Sequence, residues 1–235
     1  MKIRSAYERN LKAYEMAKRG MDITGSVAAL ILLFPLFVCI AFFIKCVSSG
    51  PVFFRQTRLG QNGKSFEIYK FRTMRVDAEK YTGPVWASKD DHRLIPGGGF
   101  LRKTHVDEIP QFINVLKGEM SIIGPRPERP FFVEQLKTQI PDYEKRLLVK
   151  PGITGLAQIR HRYDETIEDV RIKIKYDLLY IQNMCLWFDF RIIWQTLRVV
   201  LTGQVHGPFA QRGGKRSEQS GILPFTDRPK EYILS

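Results

Sequence analysis

The sequence predicts an α+β protein in which a re-entrant, helix-break-helix membrane segment leads into a helix-rich cytosolic domain with a small β-hairpin and interfacial amphipathic helices. Three observations carry this reading. The run Ile23 to Ile44 contains no charged residue and has basic flanks, two short β-like runs surround Asn62-Gly63, and helical periodicity recurs from Asp107 to Leu201. At 235 residues, 44% hydrophobic and 26% charged, the chain buries a real core and is neither disordered nor a disulfide miniprotein. Its net charge of +13 attracts polyanions, and nucleic acid, anionic lipid and phosphorylated small molecules all qualify. Cys39, Cys46 and Cys185 lack any CxxC or ligand spacing, which excludes a disulfide framework or a zinc site and favours a reducing, cytoplasm-facing location.

The chain divides into a basic N-terminal segment (1–22), the membrane helix (23–44), a cytosolic domain (45–203) and a C-terminal tail (204–235) rich in Gly, Ser, Lys and Arg. A straight helix over 23–44 would reach about 33 Å, enough for a hydrocarbon core of about 30 Å. It starts late and ends at Lys45 without a small-x-small site, so it is not a secretory signal. Lys18 and Arg19 precede it, and Lys45, Arg55 and Arg58 follow. Charge on both sides favours keeping both flanks in the cytoplasm, and Pro35 removes a helical hydrogen bond mid-run. A hairpin dipping into one leaflet satisfies both facts. A spanning helix with a proline kink is the alternative.

Strand-like runs follow at 51–55 and 65–71, joined by the hairpin signal Asn62-Gly63. Arg75 to Gly99, with Gly83-Pro84, Asp90-Asp91 and Gly97-Gly98-Gly99, reads as a long irregular loop able to close over a ligand. The stretch DEIPQFINVLK predicts a helix with Asp107 at the N-cap, Pro110 in the first turn and Gly118 just past the end. Weaker helical character covers 128–140. Ile167, Val170, Ile174, Leu178 and Ile181 mark a clearer amphipathic helix, and 186–201 the last long one. In that last helix Trp187 and Trp194 with Arg191 and Arg198 suit a membrane interface, while its apolar moment equally suits core packing.

Asp107-Glu108 admits two readings. Acids at a helix start cap orphan N–H groups for about 1 kcal/mol. The same place can hold an ionised carboxylate where phosphate is also attracted, as nucleophilic attack on phosphorus requires. Lys70, Arg72, Arg102, Lys103 and Arg126 could neutralise a diphosphate, although each alone is commonly a solvated surface charge.

Taken in order, Lys18-Arg19 before the apolar run, GPVFFRQTRLG, YKFRTM, FLRKTHVDEIPQFINVLKGEMSIIGPRP and VKPGITGLAQ resemble the monotopic phosphoglycosyl transferases, or bacterial sugar transferases, over roughly residues 17–203. The resemblance implies transfer of a sugar-1-phosphate from a UDP-sugar to a polyprenyl phosphate, with undecaprenyl phosphate the expected form. The products are a polyprenyl-diphosphate sugar and UMP, and the step initiates bacterial surface glycan assembly. It implies Asp107 as nucleophile through a covalent intermediate, and Glu108 as metal ligand or acid/base partner. Asp107 and Glu108 together would be the metal-binding pair, with Mg2+ as cofactor. It places Lys70, Arg72 and Arg102 on phosphate or nucleotide positions, and Arg126 of Pro125-Arg126-Pro127 on the pocket wall or the phosphates. Arg162, with Arg160 as a rival, and Asp177 are further binding positions. The implied partners are UDP-sugar, polyprenyl phosphate and membrane lipid, with no nucleic acid and a homodimer left open. The implied location is the bacterial inner (cytoplasmic) membrane with the catalytic domain facing the cytoplasm. Where acetamido-sugar members often read AQVNGRN, this chain reads Ala157-Gln158-Ile159-Arg160-His161-Arg162, which leaves the sugar open. Members with a PRPERPFF-like stretch often carry four further spanning helices, so the chain is expected to be a minimal catalytic unit. A basic nucleic-acid-binding domain would explain the charge, but no base-reading motif or aromatic ribonucleoprotein signature is present. A non-catalytic membrane scaffold would leave the acidic pair as a cap.

Overall fold

A computed structural model describes residues 2–80, 91–161 and 166–202, with side chains described from residue 12 onward. It is a mixed, helix-rich fold with two small two-stranded sheets. Gly83-Pro84 and Asp90, Arg162 and the 204–235 tail lie outside the described residues.

Helix α1 (Lys2–Leu32) runs without interruption from the basic segment into the apolar run, and α2 (Phe34–Val47) continues it after a 61° bend. Among the described residues no single helix is long and apolar enough to cross a membrane. The break falls at Leu33 rather than at Pro35 itself, which sits in the first turn of α2. A proline ring clashes with the carbonyl four residues upstream, here that of Ile31, and has no N–H to bond it, so the disturbance lies one turn before the proline. Ile31, Leu32, Phe34 and Phe42 are exposed around the bend, whereas Ile40 and Ile44 are buried against Phe71, Ile95, Leu101 and Ile109.

The lower part of α1 is a docking rail. Residues four apart on a helix share a face, and Tyr14, Lys18 and Asp22 occupy one such row. Tyr14 Oη and Lys18 Nζ donate to Asp189 Oδ2 at 2.9 and 3.1 Å, and Tyr180 Oη donates to Asp189 Oδ1 at 2.8 Å. Asp22 Oδ1 accepts from Ser121 Oγ and the Ile122 amide. Arg19 donates to the carbonyls of Val115 and Leu116, closing the end of a later helix.

Strands β1 (Phe53–Leu59) and β2 (Ser65–Phe71) form the expected antiparallel hairpin, with Asn62 and Gly63 both at positive φ in the turn. Period-two alternation puts Phe66, Ile68 and Lys70 on one face of β2 and Phe71 on the other, under α2. The loop after β2 carries an isolated Met74–Leu94 bridge and a two-pronged Arg93–Asp91 pair, and it leads into α3 (Gly98–Lys103).

The expected helix from Asp107 is shorter than the sequence suggests. Asp107 lies inside a 3-10 turn, Val106–Glu108, entered through His105 at φ 58, and caps nothing. Helix α4 begins only at Gln111 (Gln111–Lys117), with Pro110 at its N-cap. Because Pro110 has no N–H, the α-type bond to the Val106 carbonyl cannot form, and the chain closes through shorter bonds from Glu108 N to His105 O and Ile109 N to Val106 O. Gly118, at φ 82, ends α4 as anticipated. Asn114, fully buried in α4, accepts from the Tyr69 amide and donates to the Glu67 carbonyl, which ties α4 to the open edge of β2.

Strand β3 (Ser121–Ile123) pairs in parallel with β4 (Gly152–Thr154), a sheet with no clear sequence signal. A Cβ on Gly124 would overlap the Lys150 carbonyl, and one on Gly152 would overlap the Gly124 amide, so GPRP and PGITG meet backbone to backbone. Helices α5 (Pro130–Gln139), α6 (Leu156–Arg160), α7 (Ile167–Gln182) and α8 (Leu186–Thr202) complete the fold. Thr166 and Asp169 form a reciprocal capping box at the start of α7. In α8, Asp189 and Ile192 are buried, while Trp187, Phe190, Trp194, Leu197 and Leu201 are exposed.

Asp189 joins α1, α7 and α8, and its side chain is fully buried. Asp189→Ala should therefore strand the Lys18 ammonium and two hydroxyls. Urea denaturation should show a loss of about 3 kcal/mol or more, against less than about 0.5 kcal/mol for an exposed control such as Lys145→Ala.

Candidate active site

Two neighbouring carboxylates with opposite surroundings define the site. The Asp107 and Glu108 residues are only 5% and 8% exposed. Glu108 is clamped: Lys70 Nζ donates to its Oε1 at 2.7 Å, and Arg126 donates through Nη2 to Oε1 at 2.5 Å and through Nη1 to Oε2 at 3.2 Å. No described residue donates a hydrogen bond to the Asp107 carboxylate, which lies in the fields of Glu108, Lys70, Arg102 and Arg126.

Each partner comes from a separate part of the fold. Lys70 reaches the pair from the inward face of β2, Arg126 from the loop after β3, Arg102 from the last turn of α3, and the acids from the 3-10 turn that Pro110 enforces.

The electrostatics follow from this asymmetry. Burial would raise the Glu108 carboxyl, but the Arg126 and Lys70 cations overcome it and hold the group well below the usual glutamate range. Asp107 goes the other way. Burial first, and repulsion from Glu108 second, push it up to about 6, against the opposing cations. Burial also pulls the Lys70 ammonium below the ordinary lysine range. A carboxylate without hydrogen bonds and with a raised pKa is a better base and nucleophile than one saturated with donors.

Glu108 and Arg126 line a cavity of about 410 Å³ whose other polar walls include Lys103, His105, Gln158, His161 and Lys173, with Ile109, Phe112, Ile153, Val199 and Val200 as apolar walls. Its cations suit a phosphorylated ligand. Among the described residues no group of three or more His, Cys, Asp or Glu side chains converges. Magnesium commonly takes one or two carboxylates together with substrate phosphates. Asp107, with the Glu108 Oε2 lobe that accepts only one long bond, meets that requirement.

The structure thus brings together Asp107, Glu108, Lys70, Arg126 and Arg102. It does not bring Arg72 there: its guanidinium is buried and donates to the carbonyls of Ser48 and Ser49 at the end of α2. Asp177 is buried against Arg146, away from the cavity wall. Arg162 lies outside the described residues. Sequence reasoning missed Lys173 and His161, which line the cavity. Lys173 carried a readable signal, a charged residue on the same helical face as Val170, Ile174 and Tyr180. His161 carried none.

The bacterial sugar transferase family model matches residues 13–203. A UDP-N-acetylgalactosamine-undecaprenyl-phosphate N-acetylgalactosaminephosphotransferase of Aeromonas hydrophila is 47% identical over 190 residues, covering 81% of this chain and 45% of that protein. A UDP-glucose:undecaprenyl-phosphate glucose-1-phosphate transferase of Escherichia coli (strain K12) is 44% identical over 184 residues, covering 77% of this chain and 39% of that protein. The exopolysaccharide production protein PSS of Rhizobium leguminosarum bv. phaseoli is 41% identical over 193 residues, covering 79% of this chain and 95% of that protein. The chain spans less than half the length of the first two relatives and nearly all of the third. With the family model matching residues 13–203, the chain belongs to the bacterial sugar transferase family.

Proposed function

We propose that this protein transfers a sugar-1-phosphate from a UDP-sugar to a polyprenyl phosphate such as undecaprenyl phosphate, through a covalent intermediate on Asp107. The observation that carries the reading is the asymmetry of the acidic pair, one carboxylate locked by two cations and its neighbour unbonded beside them.

In the first step an Asp107 oxygen attacks the β-phosphorus. The bond from that phosphorus to the oxygen bridging the two phosphates breaks, and UMP leaves with the electron pair. In the second step an oxygen of polyprenyl phosphate attacks the same phosphorus, and the Asp107 carboxylate departs with its electrons. Splitting the transfer means that the soluble donor and the lipid acceptor need not share the cavity at one time. Lys70, Arg102 and Arg126 supply fixed positive charge where both phosphates gather negative charge. Glu108 holds Lys70 and Arg126 in place. Mg2+, held by Asp107 and Glu108 together with the donor's phosphates, would further neutralise charge on the diphosphate.

The same reading assigns the bent α1–α2 pair as a re-entrant hairpin and the exposed Trp187–Leu201 face of α8 as an interfacial surface, on the cytoplasmic side of a bacterial inner membrane. The basic flanks, the 61° bend and the exposed aromatic residues support it.

Three outcomes follow. UDP-N-acetylgalactosamine or UDP-glucose labelled in the β-phosphate, given without acceptor, should leave label on the wild-type protein and none on Asp107→Asn, which keeps the side chain's size. Robust product formation by Asp107→Asn would demote the pair to metal binding. With Asp107 raised to about 6, the nucleophile is lost by protonation as pH falls. UMP release should therefore drop about tenfold per pH unit below that point and level off above it, whereas a flat profile between about pH 5 and 8 would contradict the assignment. Finally, cysteines at Ser5 and Gln61 should both resist a membrane-impermeant thiol reagent in intact cells. Labelling of Ser5→Cys alone would show that the segment spans.

A further inference from the structure

The residues 124–129 that carry Arg126 form no helix or strand, and Pro125 and Pro127 cannot donate hydrogen bonds. Such a segment has no internal means of holding a side chain still. Yet four successive carbonyls are each tied to the surrounding fold, two of them to neighbouring residues of β1. The Pro125 carbonyl accepts from the Gly152 amide of β4 at 2.9 Å and the Glu128 carbonyl from the Leu59 amide of β1 at 3.0 Å. Between them, the Arg126 carbonyl accepts from Arg146 Nη2 at 2.8 Å and the Pro127 carbonyl from Arg58 Nη1 at 3.0 Å. The two middle ties are made by guanidinium groups rather than by backbone, that of Arg146 buried and that of Arg58 half-buried.

Arg146 is itself held on three sides. Its Nε donates to Asp177 Oδ2 at 3.0 Å, its Nη1 donates to Tyr143 Oη at 3.2 Å, and its side chain is only 3% exposed. A planar fork satisfied at each edge has one orientation, so the tie on the Arg126 carbonyl itself is referred to α7 through Asp177. Arg58 and Arg146 also face the Glu128 carboxylate, at 3.6 and 3.9 Å, so each guanidinium both balances a partly buried charge and holds a carbonyl of the Arg126 segment.

We propose that Arg146, oriented by Asp177 and Tyr143, is a positioning residue that acts through the Arg126 carbonyl to set the Arg126 guanidinium on Glu108. Asp177 thereby serves the reaction at one remove and contacts no substrate. The inference rests on the transfer chemistry proposed above.

A single-turnover experiment separates positioning from folding. Detergent-solubilised full-length protein is mixed with β-phosphate-labelled UDP-N-acetylgalactosamine, or UDP-glucose if the wild type uses that donor, without acceptor. The amplitude of protein-bound label counts competent sites, and its rate reports the chemical step. Arg146→Lys keeps the charge but loses the fork. It should keep its amplitude within about twofold while its rate falls on the order of 10- to 100-fold, the effect expected of a displacement of about 1 Å. Tyr143→Phe removes one hydroxyl and should slow the rate about threefold at full amplitude. A lowered amplitude at the wild-type rate, or wild-type behaviour in both variants, overturns the inference. If Arg146→Lys does not fold, Tyr143→Phe decides alone. Absence of label on an active wild type would instead overturn the covalent reading, so the two failures are distinct.

Discussion

The ion-pair cluster around Glu108 is the constraint on which the rest of the site depends. Two cations from distant parts of the chain, Lys70 on a hairpin and Arg126 on an irregular loop, converge on one buried carboxylate. Removing Glu108 would leave both cations without their shared partner, so β2, the 3-10 turn and the loop after β3 are obliged to meet. That meeting sets the field at Asp107. Without the cations, a buried acid beside an anion would stay protonated, and with hydrogen bonds of its own it would be a weak nucleophile.

The bent α1–α2 pair is coupled to this cluster through packing. Ile40 and Ile44 of α2 lie in the same apolar cluster as Leu101 and Ile109, which flank Arg102 and the acidic pair. Arg72, placed by resemblance among the phosphate-binding residues, instead ties the end of α2 to β2. The helix that bends at Leu33 is thus seated directly beneath the acidic turn. On the other side α1 is fastened by Asp22 and by the Asp189 node. On the proposed reading, a lipid-borne acceptor and a soluble donor would approach a site built against the bent helix pair.

Much of this was legible in the sequence, and the rest had physical reasons to be hidden. The hairpin was readable because Asn62-Gly63 demands positive φ and because Phe66, Ile68 and Lys70 alternate. The apolar run and its proline were readable from composition, although the bend was not assigned to Leu33 because a proline acts on the carbonyl four residues before it. The acidic pair was readable as a pair, but its N-cap role was not its structure: Pro110 delays α4 and leaves Asp107 in a tighter turn. The β3–β4 pairing was illegible, since three-residue parallel strands have no periodicity and rest on contacts between Gly124 and Gly152 that are distant in sequence. Arg146 was illegible for a similar reason, because its importance lies in a carbonyl twenty residues away.

The central claim is that Asp107 carries the phospho-sugar between two separate half-reactions. Initial rates of UMP release, with UDP-sugar varied at several fixed concentrations of polyprenyl phosphate, test this directly. The account predicts parallel double-reciprocal lines, because donor and acceptor bind different forms of the enzyme. Lines that intersect, as when both substrates must be bound before any bond breaks, would contradict it.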